Sequence, residues 1–373
     1  MSRSTDVLIV GGGVIGCSIA YHLSKANVDC LVVDQGEIGA QASSAALGVL
    51  VPLVSFDNDD FIPLLLASFR LFPTLVPELE AVSGIQVEYQ QTGALHMVSQ
   101  PKQIKKLQQQ MQMWQRWNFD VQWLTHDEIQ TREPQLSEHV CAAVVAPQEA
   151  QINAPLLVQA FAKAAQNNKA CFLPQSKVVG ISRQGSMVTS VSLSTGEVIS
   201  CNQLVLAAGA WSGMWEQWLG ISLPVYPVKG QAIALQQPSH AIKHILFGEG
   251  IYIAPKNEHL VFIGATKDNA GFDTTVTQEG IAWLRAAAHR LVPALSSGVL
   301  KSAKAGLRPK TPDSKPILGR IEQLTNVFVA TGHNAFGVQL SPITGLCVAE
   351  LIMTRQPPAL MRPFLPSRFQ HNL

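Results

Sequence analysis

The sequence predicts an α/β protein in which an antiparallel-sheet domain is inserted, in pieces, into a discontinuous domain with a parallel sheet. Apolar runs typical of buried parallel strands occur near the start, in the middle and near the end of the chain, at 6–10, 204–206 and 326–331. Strands with alternating patterning lie between the last two runs, at 224–266. The length of 373 residues suits two domains of roughly 150 residues or more.

The β-α-β unit at the start consists of a strand at 6–10, a helix from the glycine turn to Ala26, and a second strand from Cys30 to Asp34. Further helices are predicted at 60–82, 102–117, 153–166 (capped by Asn153), 277–291 and 338–353. Further strands are predicted at 87–89 and 93–98, in several short segments of 171–206 and 224–266, in a segment ending at Gly306, and at 326–331, with a turn-rich segment at 309–316.

The composition excludes several classes of protein. Hydrophobic residues make up 47% of the chain and charged residues 14%, which is too apolar for a disordered segment. The 27 basic and 26 acidic side chains leave a net charge of +1 with no basic block, so no nucleic-acid partner is expected. The expected ligand is a small molecule, and a homo-oligomer is left open.

The cysteines and the apolar segments indicate a cytoplasmic protein without an integral membrane segment. The six cysteines are scattered singly, with no C-x-x-C pair and no histidine at metal-ligand spacing, so reduced thiols and no metal site are expected. The apolar start is interrupted by four glycines, unlike a signal peptide. Residues 61–79 contain an arginine and three prolines, which favours a buried helix over a membrane span.

The glycine turn has the pattern of a dinucleotide-binding site, because 11–16 read G-x-G-x-x-G between a strand and a helix. Gly11 permits the tight turn, Gly13 lets the backbone approach a pyrophosphate, and Gly16 lets the helix pack closely on the strand. The helix N-terminus offers N–H groups to the anion, and Asp34 is placed to accept hydrogen bonds from a ribose. The motif alone leaves open a nicotinamide cofactor, FAD or a packed turn without a ligand.

Three segments extend this pattern. The β-α-β unit at 7–34 continues into a run of small residues at 43–49, Ser-Ser-Ala-Ala-Leu-Gly-Val. Residues 204–213 read Leu-Val-Leu-Ala-Ala-Gly-Ala-Trp-Ser-Gly, and 305–345 include Gly-Leu-Arg-Pro, Thr-Pro-Asp and a last loop between two glycines. In order and spacing, across nearly the full chain, these segments resemble the FAD-dependent amine and amino-acid oxidases of the D-amino-acid oxidase superfamily. The resemblance is greatest to the glycine oxidases of thiamine biosynthesis.

This resemblance implies a Rossmann-like FAD-binding domain with an inserted antiparallel-sheet substrate domain. The FAD-binding domain would comprise residues 1–85, 150–222 and 306–373, and the substrate-binding domain residues 86–149 and 223–305. The related sarcosine oxidases attach their flavin through a cysteine, and the matching position here is Gly306. The FAD is therefore expected to be non-covalent.

The resemblance also implies which residues contact the FAD. Small side chains around residue 45 would let the backbone approach the flavin ring, although they also permit simple close packing. Val178 would meet the adenine with its backbone, or be a plain strand residue. The last glycine loop would direct N–H groups to the ring. The expected FAD-binding residues are Gly11, Gly13, Val14, Ile15, Gly16, Asp34, Ser43, Ser44, Ala45, Ala46, Gly48, Val178, Ala208, Gly209, Trp211, Gly332, His333, Asn334, Ala335, Phe336, Gly337 and Val338.

Two residues are the catalytic candidates. Arg308 matches the family's carboxylate-binding arginine, and a planar guanidinium can hold a carboxylate by two parallel hydrogen bonds. A structural ion pair is the alternative. Tyr252 resembles the tyrosine that hydrogen-bonds the same carboxylate, with a plain strand tyrosine as the alternative. His333 is tempting as a base, but a structural histidine is the more common case.

Two departures from the glycine oxidase pattern predict a roomier substrate pocket. Ala335 stands where glycine oxidases tend to carry an arginine, and Gly250 is smaller than expected. The expected reaction is oxidative deamination of a small amino acid or secondary amine to an oxo acid, ammonia or an amine, and hydrogen peroxide, with dioxygen as the electron acceptor. Two rivals remain open. One is a D-amino-acid dehydrogenase that reduces a quinone, which the mean hydropathy of +0.17 weakly permits, and the other is a flavin-carrying subunit of a hetero-oligomeric amine dehydrogenase.

Overall fold

The structure, a computed structural model, describes residues 3–52, 60–236, 242–256 and 259–372. Predicted segments that include residues 1–2, 53–59, 237–241, 257–258 or 373 lie in part outside the described residues. The helices are α1 (Val14–Lys25), α2 (Ala42–Ala45), α3 (Ile62–Ser83), α4 (Ile104–Arg116), α5 (His126–Arg132), α6 (Ala154–Asn167), α7 (Glu216–Leu219), α8 (Gln278–Leu291) and α9 (Gly337–Thr354). The strands are β1 (Arg3–Val10), β2 (Cys30–Val33), β3 (Val49–Leu50), β4 (Ala94–Val98), β5 (Gln122–Leu124), β6 (Ala142–Ala146), β7 (Ala150–Gln151), β8 (Cys171–Leu173), β9 (Val178–Gln184), β10 (Met187–Leu193), β11 (Val198–Leu206), β12 (Tyr226–Gln236), β13 (Ile245–Gly248), β14 (Ile251–Pro255), β15 (Leu260–Gly264), β16 (Val299–Lys310), β17 (Ile317–Arg320) and β18 (Val327–Thr331).

The first sheet has a parallel centre, as the β-α-β unit predicts. Its order is β17-β18-β11-β1-β2-β8, and β10 and β9 extend it as antiparallel strands from β11. Along β1, Val7 and Ile9 enter one hydrophobic core, whereas Leu8 and Val10 enter the core on the opposite face. Because both faces are covered, the strand is apolar throughout rather than alternating.

Four helices, α1, α3, α6 and α9, pack against one another beside this sheet. Helices α1 and α9 approach closely, because the Ser18 hydroxyl donates to the Ser341 carbonyl at 2.7 Å and a Cβ on Gly345 would lie 2.2 Å from Ser18 Oγ. Among the described residues, Ile62–Ser83 and Asn334–Thr354 are long and apolar enough by length and composition to cross a membrane. However, 50% and 72% of these windows are buried inside the protein, as in core helices.

The second sheet has the order β16-β12-β15-β14-β13-β4-β6-β5. Its strands pair antiparallel except for β13 with β4, which confirms the antiparallel pattern predicted for 224–266. Helix α8 covers it, with Leu284 and Leu291 fully buried in the core between them. Strands β12 and β16 pair over their whole length, so that Val228 faces Arg308 and Gly230 faces Gly306.

Two predicted elements differ from the structure. Residues 87–89 form no strand, and pairing at this point is limited to a single bridge between Gln90 and Gln151. The predicted turn at 309–316 begins later, because β16 continues to Lys310 and holds Arg308 within a strand. The proposed domain boundary at residue 306 falls inside the same strand. The six cysteines are free, as their scattered positions predict.

Candidate active site

A cavity of about 570 Å³ extends from the C-terminal ends of the parallel strands to the second sheet. Val10, Val33 and Thr331 line it where β1, β2 and β18 end, and Gly230 and Tyr252 line it from β12 and β14. Ligands of open α/β sheets bind outside the carboxyl ends of the strands, so this is the expected place for a cofactor.

The glycine turn is shaped by contacts that tolerate no side chain. Gly11 has φ +110°, and a Cβ there would lie 2.3 Å from the Ala207 carbonyl oxygen. A Cβ on Gly16 would lie 1.8 Å from the carbonyl oxygen of Gly11, so glycine lets α1 sit directly on the turn. Helix α1 follows Gly13 without a side-chain cap, and the Val14 N–H donates to Ser43 Oγ at 3.0 Å. The helix N-terminus therefore presents its positive end to the cavity.

Asp34 stands at the end of β2, where the sequence predicts the ribose acid. Its two carboxylate oxygens accept from the N–H groups of Gly12 at 2.7 Å and Gly36 at 2.8 Å. Burial raises the pKa of Asp34, and these two hydrogen bonds oppose the rise. The carboxylate braces the glycine turn, and its remaining lone pairs can accept from a ribose diol.

The small residues at 42–49 let the chain run close to β16 and α6. A Cβ on Gly306 would lie 2.8 Å from the Ala45 Cβ, and a Cβ on Gly48 would lie 1.9 Å from the Ile152 carbonyl oxygen. Ala45 and Gly48 line the cavity. Ser44 is not among the lining residues, because its hydroxyl donates back to the Ala40 carbonyl at 2.7 Å.

The last glycine loop joins β18 to α9 at the edge of the cavity. Gly332 has φ +75°, and a Cβ there would lie 2.6 Å from the Thr311 side chain. His333 is 2% exposed, and its Nε2 lies 3.1 Å from the Thr344 hydroxyl. Burial lowers the pKa of His333 to about 3, so the ring is neutral at physiological pH. This contact supports the structural alternative for His333 over a catalytic base.

Arg308 and Tyr252 line the same end of the cavity from β16 and β14. The Arg308 guanidinium donates from Nη1 to the Thr266 carbonyl at 2.9 Å and lies flat against Gly230. Thr266 is fixed in turn, because its hydroxyl accepts from the Gln231 N–H at 3.0 Å and donates to Asp268 at 2.6 Å. Burial raises the pKa of Tyr252, whereas the positive charge of Arg308 lowers it. The phenol therefore stays protonated at neutral pH and can donate a hydrogen bond.

The structure brings most of the predicted site residues to this one cavity. Four are not among its lining residues. Gly16 and Gly332 shape the turns from behind, Ser44 donates to the turn that precedes α2, and Phe336 packs edge-on against Phe61 at 5.7 Å. Sequence reasoning missed several lining residues, including Gln35, Lys177, Met214, Trp218, Gly230 and Phe272. Gly230 and Phe272 carry no local motif, since their place depends on strand register and on a loop.

The chemistry of the cavity fits a dinucleotide with a flat ring system. One end offers the N-terminus of α1 to a pyrophosphate and Asp34 to a ribose. Alanines and glycines wall the middle, where a planar ring would lie against the backbone, and the far end holds Arg308 and Tyr252. A fold and a site of this kind define an FAD-dependent oxidoreductase.

Comparison with known proteins agrees with this class. Residues 6–351 match the family described as FAD dependent oxidoreductase, so the chain belongs to that family and its cofactor is FAD. The glycine oxidase of Geobacillus kaustophilus is 34% identical over 371 residues, covering 99% of this chain and 98% of that protein. The crystal structure of glycine oxidase from the same organism superposes with a TM-score of 0.93, at 34% identity, over 98% of each chain. The hydrogen cyanide synthase subunit HcnC of Pseudomonas aeruginosa is 31% identical over 406 aligned residues, covering 99% of this chain and 97% of that protein.

Proposed function

We propose that the protein catalyses the oxidative deamination of a small α-amino acid or secondary amine that carries one carboxylate. The observation that carries the proposal is the Arg308 guanidinium, held against Gly230 and Thr266 in the wall of the FAD cavity. FAD held in this cavity would supply the two-electron chemistry of the proposal, in which the substrate loses a hydride from its α-carbon and dioxygen is reduced to hydrogen peroxide. The imine product hydrolyses to an oxo acid and ammonia or an amine.

Arg308 and Tyr252 orient the substrate in this proposal. Nη1 of Arg308 keeps one hydrogen after donating to Thr266, and Nη2 has two, so the guanidinium edge can donate two parallel bonds to a carboxylate. The protonated Tyr252 hydroxyl donates a further bond to the same group. A carboxylate fixed at three points holds the α-carbon in one position relative to the ring, which is the main requirement for hydride transfer.

The cavity also favours the neutral form of the substrate amine. Asp34 is the acidic residue among the described residues that line the cavity, and it lies beside the glycine turn, at the end of the cavity opposite Arg308. Near Arg308 a substrate ammonium would have a positive neighbour, which lowers its pKa, and the Asp268 carboxylate, which accepts from the Thr266 hydroxyl, is not among the described residues that line the cavity. The amine therefore loses its proton to solvent as it binds, and no protein base is required.

The flavin-carrying subunit of a hetero-oligomer is the second candidate, and the similarity to the hydrogen cyanide synthase subunit favours it. In that case the chain would hold FAD and substrate in the same way but pass its electrons to a partner. Dioxygen as acceptor, a cytoplasmic location and non-covalent attachment of FAD belong to the main proposal. The main proposal also includes the FAD-contacting residues named from the sequence and the division of the chain into an FAD-binding domain and a substrate-binding domain.

Peroxide release by the purified holoenzyme tests the proposal. Glycine, sarcosine, D-alanine and D-proline are supplied in air, with dye reduction measured in parallel. We expect peroxide with at least one substrate bulkier than glycine, because Ala335 lines the cavity with a small side chain. Gly250 does not contribute to this room, since it is exposed in the turn between β13 and β14 and is not among the described lining residues. Dye reduction without peroxide would show a dehydrogenase. The absence of both dye reduction and peroxide would show a subunit that needs its partner. Activity confined to glycine would contradict the roomier pocket.

A further inference from the structure

The loop after β15 is tied down beside the substrate end of the cavity by one buried lysine. Lys229 is 4% exposed, and its Nζ donates to the Asp273 carboxylate and to the Thr275 carbonyl, each at 3.1 Å. Its backbone exchanges two hydrogen bonds of 2.9 Å with Asp268. The loop 268–275 is therefore fixed next to Gly230, the residue against which Arg308 lies.

Phe272 lies in this loop and lines the cavity although 44% of its surface is exposed. Its ring pairs with that of Trp211, with centroids 5.5 Å apart and planes inclined by 34°. The turn that carries Trp211 is fixed by two hydrogen bonds. The backbone N–H of Trp211 donates to the Ala208 carbonyl at 3.0 Å, and the neighbouring Ser212 hydroxyl donates to the Thr331 hydroxyl at 2.7 Å. Trp211 is half-buried, so Phe272 is the exposed member of the pair, and an exposed aromatic ring at the mouth of a cavity is typical of a surface that a ligand covers.

The charges in the cavity favour an apolar occupant at this end. Among the described lining residues the cations are Arg308 and Lys177, and Lys177 follows Ser176, whose N–H bonds to the Asp34 carbonyl at 2.6 Å. Lys177 and the Asp34 carboxylate therefore lie together at the other end. A substrate group pointing toward this end would meet the two rings, because the carboxylates of the loop, Asp268 and Asp273, are bonded to Thr266 and Lys229 and are not among the described lining residues.

We propose that Phe272 and Trp211 form the wall that selects the substrate's substituent, binding an apolar group on its α-carbon or nitrogen. The inference rests on the proposed oxidation of a monocarboxylate amine and adds its substrate class, amines with an apolar substituent of a few carbons. Substrates with a second carboxylate or a cationic side chain bind poorly, because burying an unpaired charge against the two rings is costly.

The test compares Phe272→Ala with Trp283→Ala. Trp283 has the same 44% exposure but lies on α8, away from the residues that line the cavity. We measure kcat/KM for glycine, which has no substituent, and for D-norvaline and D-proline. The ratio of substituted substrate to glycine should fall about tenfold in Phe272→Ala, the effect of losing a small apolar contact. It should be unchanged in Trp283→Ala.

Binding of simple carboxylates provides a readout that needs no turnover. Acetate and hexanoate are titrated into the holoenzyme and followed by the flavin absorbance. Phe272→Ala should weaken hexanoate about tenfold more than acetate. An equal loss for both, or an unchanged kcat/KM ratio, would overturn the inference while leaving the oxidase proposal intact. Selective loss of hexanoate binding in a protein that oxidises no amine would support the wall and overturn the proposed function instead.

Discussion

A single methyl group at Gly230 should displace Arg308, the arginine proposed to bind the substrate carboxylate. Gly230 lies in β12 opposite β16, and a Cβ built there would lie 2.3 Å from Nη1 and 2.4 Å from Cζ and Nη2 of Arg308. Ordinary contact begins at 3.4 Å, so the guanidinium must move by about 1 Å. The backbone of Gly230 is not left-handed, so alanine fits the strand itself.

The cost of this movement should fall on catalysis. A misplacement of about 1 Å in a group that orients the substrate can cost about 100-fold, or about 2.7 kcal/mol of transition-state binding. We therefore expect Gly230→Ala to lower kcat/KM for glycine about 100-fold while FAD content and thermal stability stay near wild type. Peroxide release, flavin absorbance and thermal unfolding measure the three quantities.

Gly180→Ala is the matched control, because Gly180 also lies in a strand, β9, and a Cβ there would meet nothing within 4 Å. It should keep wild-type kcat/KM. A Gly230→Ala enzyme with unchanged kcat/KM would refute the reasoning, since Arg308 would then work from a position that does not depend on Gly230. A similar loss in both variants would equally contradict it.

Three further predictions concern the cofactor and stability. Acid precipitation should release FAD into the supernatant because Gly306 offers no nucleophile for attachment; flavin left in the pellet would exclude non-covalent binding. Asp34→Ala removes an acceptor of charge-assisted hydrogen bonds worth about 1.5 to 3 kcal/mol. FAD should therefore bind the Asp34→Ala apoprotein about tenfold to a hundredfold more weakly in a fluorescence titration. Unaltered affinity would contradict the proposal that Asp34 binds the FAD ribose. Burial lowers the pKa of His333 from 6.5 to about 3, so in that window the unfolded chain binds a proton that the native protein does not, and stability falls as pH falls. His333→Asn should reduce this slope by up to about 1.4 kcal/mol per pH unit in denaturant titrations from pH 4 to 6, with the exposed His289→Asn as control; an unchanged slope would count against a buried neutral ring.

The phosphate-binding turn could be predicted from the sequence because its determinants are local. The strand, the three glycines and Asp34 lie within about thirty residues. Backbone contacts in the structure require glycine at positions 11 and 16, whereas a Cβ on Gly13 would meet only the Ser43 hydroxyl at 3.4 Å. The apolar strand at 204–206 was equally predictable, because a strand buried on both faces has no polar positions.

The far end of the cavity was less predictable because it depends on contacts between distant segments. Arg308 meets Gly230 through the register of β12 and β16, and Phe272 reaches Trp211 through a loop tied to Lys229. Neither relation has a periodicity or motif that a single sequence displays. The strand predicted at 87–89 was wrong for a related reason, since its alternating pattern found no neighbouring strand beyond the bridge at Gln90.

Arg308→Ala tests the central claim most directly, with the exposed Arg320→Ala as the matched control. The panel contains glycine, sarcosine, D-alanine, D-proline and simple amines without a carboxylate. Truncating one partner of a buried hydrogen-bonded charge pair costs roughly 2 to 5 kcal/mol, and we predict that loss in kcat/KM on every amino acid. Amines without a carboxylate and the FAD content should be little affected. Equal activity of Arg308→Ala and wild type on every amino acid would remove Arg308 from the substrate site and contradict the account.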